Sequence, residues 1–309
     1  MKRDYVLCNS SVDYFINSLG LHPDGVSLCI GDWSDSTVVL QPINSPENGF
    51  YFKAESLNQY LPYTINTGSQ TISGRILLRT STVKPGLNLA VIGDSYIDTY
   101  IELGMTTQAI KSYDPSTTLY GIYEGTTSGN MYTGLRQWNA HNVLEDSEYN
   151  GQQNPMFHNG KFDFKNFAEM IGLPDGAIVI LNFGINALSQ GDSPQKALTY
   201  YLKLKKEVEK LGYKAFIVTP VTTAQMGMNV KLSEFSELLR KTVRTGLLDV
   251  SWCLPPNCTT TPKITNTPDF GSVAVVNTTN LILPSRGGFT SYGNILFQTL
   301  LYHLGYGVS

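Results

Sequence analysis

A Gly-Asp-Ser string occurs twice, as Gly93-Asp94-Ser95 and as Gly191-Asp192-Ser193, and the two stand in different surroundings. The first follows the apolar run 87–92, the kind of strand that parallel sheets bury on both faces. A serine just past such a strand emerges at the carboxyl edge, where ligands of open α/β sheets bind. Its hydroxyl can attack an acyl carbon, and a helix following it would aim amide groups at the charge that develops. The same three residues also suit an ordinary turn, and the tripeptide alone does not choose between them. The second string has no strand before it and runs into Pro194 and an apolar stripe. It reads as a helix start, with Asp192 or Ser193 as the cap and proline at the first helical position.

The elements around Ser95 are predicted from hydrophobic period. Four further strands are expected, at residues 118–123, 177–182, 215–219 and 247–253, each a compact apolar or β-prone run. Between them, Ala197, Tyr200, Tyr201, Leu204, Val208 and Leu211 share one helical stripe that Gly212 ends. A second stripe holds Leu232, Phe235, Leu239 and Val243, and a closing helix is expected over 292–304, before Gly305. Strands alternating with helices imply a three-layer α/β/α sandwich around a parallel five-stranded sheet. Residues 1–85 differ, with short β-prone runs (37–40, 50–54, 72–80) between Gly, Pro and Asn clusters. They are expected to form a small β-rich N-terminal domain or extension. Pro85-Gly86 marks the boundary, and 86–309 form the second domain.

Composition narrows the classes. Of 309 residues, 41% are hydrophobic and only 15% charged, against a usual quarter or so. A polar but weakly charged surface suits carbohydrate-facing proteins and subunits of large assemblies. With a net charge of −3 and no basic run, nucleic acid is not an expected partner. The five lysines within 201–214 interleave with Glu207 and Glu209, a pattern of local ion pairs on a solvated helix face. No apolar stretch suggests a signal peptide or a membrane span, so a membrane is not an expected partner either. Cys8, Cys29, Cys253 and Cys258 lack the spacing of a zinc site and read as free thiols.

Several ordered strings resemble the SGNH (GDSL) hydrolases. Leu89-Ala90-Val91-Ile92-Gly93-Asp94-Ser95 looks like that family's first block. Glu124-Gly125-Thr126-Thr127-Ser128-Gly129 resembles the second, and Ile180-Leu181-Asn182-Phe183-Gly184-Ile185-Asn186 the third. Asn154-Pro155 with Gly160-Lys161-Phe162-Asp163-Phe164 matches an insert of a subgroup common in gut bacteria and their phages. Leu283-Pro284-Ser285, with Tyr292-Gly293, resembles the C-terminal end. The resemblance spans about residues 87 to 305 and implies a flavodoxin-like SGNH fold. It implies Ser95 as nucleophile, with the amides of Ser95 and Gly129 and the side chain of Asn186 as oxyanion donors. Read without the family, Gly129 is equally a turn glycine and Asn186 a loop residue capping its own turn.

The resemblance breaks at the base. Active members carry Asp-x-x-His-Pro near the C-terminus. Anchored on Pro284, those positions hold Asn280 and Leu283, and Ala187 replaces the usual aspartate of the third block. Leucine has no proton acceptor, and loss of the histidine or serine from such a triad costs about a million-fold in turnover. Four histidines exist in the chain. His22 and His141 read as turn and helix-end residues, and His303 sits in a last helical turn. His158, in the insert, is the substitute base to consider.

The expected function is therefore an SGNH-hydrolase-like protein with an incomplete triad, impaired in catalysis and kept for binding or structure. The phage-associated insert implies a virion or surface-appendage component that contacts glycans and other proteins of an assembly. The alternative is an active serine carbohydrate O-acetyl esterase with an unconventional base. Neither reading calls for a metal or organic cofactor.

Overall fold

The computed structural model describes residues 2–8, 27–30, 38–42, 50–54, 60–66, 71–79, 83–97, 104–221, 226–251 and 286–306, the first six stretches as backbone elements only. Asn280, Leu283, His22, Cys253 and Cys258 lie outside the described residues, as do the last two residues of the strand expected at 247–253, of which Leu247–Leu248 is a strand.

Two compact units divide the chain, and the chain passes between them more than once. One comprises 1–83, 221–229 and 249–309, and the other 84–220 and 230–248. The first change of unit falls beside the Pro85-Gly86 boundary read from sequence, whereas the C-terminal stretch groups with the N-terminal one.

In the first unit, strands β1 (Lys2–Cys8), β2 (Ser27–Ile30), β3 (Val38–Pro42), β4 (Phe50–Ala54), β5 (Tyr60–Asn66) and β6 (Thr71–Arg79) match the β-rich expectation. Four of them form a sheet in the order β1-β6-β5-β2, and β3 pairs with β4 as a separate hairpin. The β1–β6 pairing is parallel and the others are antiparallel.

The second unit carries the expected α/β pattern. Its elements begin with β7 (Asn88–Gly93), α1 (Met105–Tyr113), β8 (Thr118–Tyr120), β9 (Tyr123–Glu124), β10 (Met131–Gly134) and α2 (Ala140–Glu145). Two small hairpins follow, β11 (Glu148–Tyr149) with β12 (Gln152–Gln153), and β13 (Phe157–His158) with β14 (Lys161–Phe162). Then come α3 (Phe164–Met170), β15 (Ile178–Asn182), α4 (Gly184–Ser189), α5 (Pro194–Glu209), β16 (Lys214–Val218), α6 (Met226–Thr242) and β17 (Leu247–Leu248). Helix α6 begins in the first unit, and α7 (Arg286–His303) belongs to it wholly, packing near β1.

The central sheet runs β17-β16-β15-β7-β10-β9, with β8 also on β7. All of these pairings are parallel except β10–β9. Five parallel positions result, as predicted, but the fifth is shared. β8 pairs with residues 88–90 of β7, and β10 with residues 92 and 93. The stretch expected as one strand, 118–123, thus stops at Tyr120. The chain leaves the sheet, turns through the β9–β10 hairpin and re-enters one level higher. At Gly121 a Cβ would lie 2.4 Å from backbone atoms of Tyr132, so only glycine permits that crossing.

β7 and β15 are buried almost throughout, which is why they read as unbroken apolar runs. The α5 stripe is buried at Ala197, Tyr201, Leu204 and Val208, while Tyr200 and Leu211 fall at its edge and meet solvent. Ser193 caps α5 by accepting from the Lys196 amide at 3.2 Å, with Pro194 at the first position. The interleaved lysines pair locally, Lys205 with Glu209 and Lys210 with Glu207. Tyr201 is fully buried, and its hydroxyl donates to the Leu181 carbonyl while accepting from the amides of Val218 and Phe183 at 3.1 and 3.3 Å. One phenol thereby ties the carboxyl ends of β15 and β16. Burial holds that phenol protonated far above its usual range. Unpaired, each such buried group would cost about 1–3 kcal/mol.

Candidate active site

The site is built at the carboxyl end of β7. A Cβ on Gly93 would stand 2.5 Å from Ile97 Cγ1 and 2.7 Å from the Asn182 carbonyl, so the strand ends against β15 at a distance only glycine allows. The Asp94 amide donates to that same Asn182 carbonyl at 3.0 Å, and the Ile97 amide to the Asp94 carbonyl at 2.9 Å. The Tyr96 amide donates to Asp94 Oδ1 at 2.9 Å. The turn therefore uses the amides of residues 94, 96 and 97 and leaves out Ser95. Among the described residues the Ser95 amide has no protein acceptor. The first described helix after the turn, α1, begins at Met105.

Opposite the turn stands the end of β10. Gly134 is level with Gly93, and the Leu135 amide donates to the Gly93 carbonyl at 2.7 Å. Two residues further, Gln137 adopts a left-handed backbone (φ 64°), and its amide points at Ser95 Oγ across 3.4 Å. That is long for a hydrogen bond, as contacts in empty active sites often are. Left-handed non-glycine residues store strain and persist only where their surroundings hold them. Here α4 does the holding. Asn186 Nδ2 donates to the Trp138 carbonyl at 3.0 Å, and Gln190 Nε2 to the Gln137 carbonyl at 2.5 Å. Asn139 Nδ2 donates back to Gln190 Oε1 at 2.6 Å. Asn139 and Asn142 close a reciprocal cap on α2, anchoring the far side of the loop.

Of the three residues expected at the site, Ser95 and Asn186 converge on the loop 137–138. Gly129 does not join them there. It occupies the turn between β9 and β10 with φ 74°, and its amide donates to Glu124 Oε1 at 2.8 Å. The expectation took strand 118–123 to run to the sheet's edge. Because β10 supplies the upper half of that strand position, the amide that meets the serine hydroxyl belongs to Gln137. Gly134, at the strand end level with Gly93, was the legible signal for it; the left-handed Gln137 had none.

The three described histidines have other partners. His141 stacks on Tyr200 at 4.2 Å between ring centres, with Glu145 3.9 Å away. His158 is exposed on the β13–β14 hairpin, 3.8 Å from Asp163 and 3.4 Å from Asn159 Nδ2. His303 lies in the other unit, its pKa lowered by desolvation and partly restored by Asp249. Among the described residues no imidazole hydrogen-bonds the Ser95 hydroxyl. The insert has a structural account: the buried Asn154 side chain donates to the Val143 and Asp146 carbonyls, and Asp163 caps α3. Asn159 and Gly160, both left-handed, form its hairpin turn.

Asp94 is fully buried, and its Oδ2 has no partner. Burial pushes its carboxyl up to about 7, against the lowering pull of the Tyr96 amide. The turn beneath Ser95 therefore holds a neutral acid at moderately acid pH.

No protein-family profile matches the chain, and no curated protein does either. Solved structures do resemble it. One is described as a lipolytic protein of the G-D-S-L family from Desulfitobacterium hafniense DCB-2, at 12% identity and a TM-score of 0.45, covering 68% of this chain and 98% of that one. A second is an acetyl xylan esterase, at 14% identity and a TM-score of 0.41, covering 68% and 97%. A third, a Bacillus subtilis protein, covers 92% of this chain and 75% of its own at 12% identity and a TM-score of 0.44. The first of these is a protein of the family that the sequence motifs resemble.

The buried carboxyl makes a testable contribution to stability. The native state keeps the Asp94 proton up to about pH 7, while the unfolded chain releases it near 3.8, so between those values the native state binds more protons and loses stability as pH rises. Asp94→Asn keeps the acceptor for the Tyr96 amide and cannot ionise. Its stability relative to wild type, followed by urea unfolding, is expected to climb between pH 4 and 8 by up to about 4 kcal/mol. A difference that stays flat with pH would remove the neutral acid from the site.

Proposed function

We propose that the Ser95 site recognises acyl esters but has lost turnover, making this an SGNH-hydrolase-like binding or structural protein with an impaired triad. The observation that supports this most is the company Ser95 keeps: its hydroxyl faces the Gln137 amide, a donor, and no imidazole among the described residues. The sequence adds Leu283 and Asn280 at the positions where the resemblance expects histidine and aspartate.

The geometry supplies one half of ester chemistry. The amides of Ser95 and Gln137 are two fixed donors beside the hydroxyl. One hydrogen of the Asn186 side-chain amide holds the Trp138 carbonyl, and the other has no protein acceptor among the described residues. Donors set in advance stabilise a carbonyl oxygen as it gains charge. The missing half is the proton. For the Ser95 oxygen to bond an acyl carbon its hydroxyl proton must leave, and a site lined by donors offers it no acceptor. An ester carbonyl can be held there without being cleaved.

The workplace we propose is a large assembly such as a virion or surface appendage, supported by the low surface charge and by the insert's resemblance to phage-associated members. Stoichiometric presence in purified native particles is the outcome expected of that role, and absence from them would refute it. A working carbohydrate O-acetyl esterase is the second reading, favoured by the His158–Asp163 pair, which resembles a base with its orienting carboxylate.

One comparison separates the readings. Hydrolysis of p-nitrophenyl acetate and labelling by a fluorophosphonate are measured for wild type, Ser95→Ala and His158→Ala. Impaired catalysis predicts background turnover and no label for all three. Turnover well above background that both substitutions abolish would establish the esterase instead.

A further inference from the structure

A groove of about 490 Å³ opens beside Ser95, lined by Tyr123, Tyr132, Arg136, Gln137 and the turn Asn150-Gly151-Gln152. Its volume falls within the ~300–1,000 Å³ typical of small-molecule sites. Gln137 belongs to both places: its amide meets Ser95 Oγ and its side chain lines the groove. A ligand presenting an ester to Ser95 would therefore lay the rest of itself here.

The lining has a consistent chemistry. Tyr132 is buried and forms the floor, while Tyr123 is 36% exposed, its ring centre 5.8 Å from that of Tyr132. Around these rings stand three carboxamides, two of them bonded to one another and the third to Tyr123 and the backbone. Asn150 Nδ2 donates to Gln137 Oε1, and Gln152 Nε2 reaches the Tyr123 hydroxyl and the Gly134 carbonyl, both at 3.2 Å. Gln152 Oε1 accepts from the Arg136 amide at 3.1 Å. Gln137, Asn150 and Gly151 all have left-handed backbones, with φ of 64°, 56° and 74°. Asn150 and Gly151 form the two-residue turn of the β11–β12 hairpin, so of these three only Gln137 is left-handed outside a hairpin turn. Among the described residues, Gln137 Nε2, Asn150 Oδ1 and the Tyr123 hydroxyl proton have no protein partner, leaving donors and an acceptor around an aromatic face.

We infer that this groove is a saccharide subsite, taking a neutral pyranose ring on Tyr123 with its hydroxyls held by the Gln137, Asn150 and Gln152 side chains. The inference rests on the reading of Ser95 as an ester-recognition site and names the alcohol half of that ester. A sugar hydroxyl both donates and accepts, as a carboxamide does, and the pyranose C–H face suits a tyrosine ring. A long acyl chain would require apolar walls, and carboxamides and Arg136 stand among these. A peptide adding a strand would require an open backbone edge.

The full chain is titrated with a panel of neutral oligosaccharides (xylo-, manno- and gluco-oligomers, each with and without O-acetylation) by calorimetry and by amide chemical shifts. At least one series is expected to bind, shifting Tyr123, Asn150 and Gln152. Tyr123→Ala should weaken it about tenfold, or 1.4 kcal/mol, and more than Tyr123→Phe, which keeps the ring and loses only the hydroxyl. The subsite is read with the unacetylated series and the ester site with the acetylated one, so a fault in the ester reading would show only with the acetylated series. If no panel member shifts these residues at millimolar concentration, or if Tyr123→Ala binds as tightly as wild type, the subsite is refuted whatever Ser95 does. Preferential binding of an acetylated peptide or a long-chain ester in the groove would refute it equally.

Discussion

The site depends on one close approach. At Gly93, β7 meets β15 so tightly that a single added carbon would press on the Asn182 carbonyl. The carbonyl of Gly93 meanwhile accepts from β10 on its other side. Three strands are thus clamped at one level. Every donor around Ser95 is referenced to that level: the turn 94–97 through Asn182, the loop 135–138 through Leu135. A larger residue at position 93 would separate β7 from β15 and unseat the turn, an overpacking that typically costs about 1–3 kcal/mol. The displacement at Ser95 would matter more than the energy.

Much of this was legible from residue types. β7 and β15 are buried on both faces, so their runs of Leu, Ile and Val stand out whatever surrounds them. Ser193-Pro194 carries its own start signal for α5. Gly129 lies in the turn between β9 and β10, with its amide on Glu124. Residues 118–123 have the composition of one strand, and nothing local announces that the sheet takes its upper half from 131–134 instead. That exchange is a tertiary choice, visible only in the crossing at Gly121. The left-handed Gln137 was hidden for the same reason. Its conformation is imposed by Asn186 and Gln190 from α4, about fifty residues away. The grouping of residues 249–309 with the N-terminal strands was likewise beyond reach, since it rests on contacts between the two ends of the chain.

The chemistry follows from an asymmetry. Donors at Ser95 are several and fixed by α4 and the turn 94–97, whereas no acceptor for its proton is built beside them among the described residues. Such a site still favours a carbonyl oxygen, and its neighbouring groove offers tyrosine and carboxamides, with Arg136 also in the lining. Beneath the serine, burial keeps Asp94 protonated up to about pH 7, and its carboxyl accepts from the Tyr96 amide. Stability has been traded there for a rigid turn, and a rigid turn serves binding as well as it serves catalysis.

Restoring what is absent tests the account most directly. The paired substitution Asn280→Asp with Leu283→His returns the two residue types that the resemblance expects, and acetyl-ester hydrolysis is then measured against wild type. If only the base was lost, turnover should rise about a thousandfold or more and vanish again on adding Ser95→Ala. A folded double variant that stays at background, or a wild type already turning over at the restored rate, would contradict it.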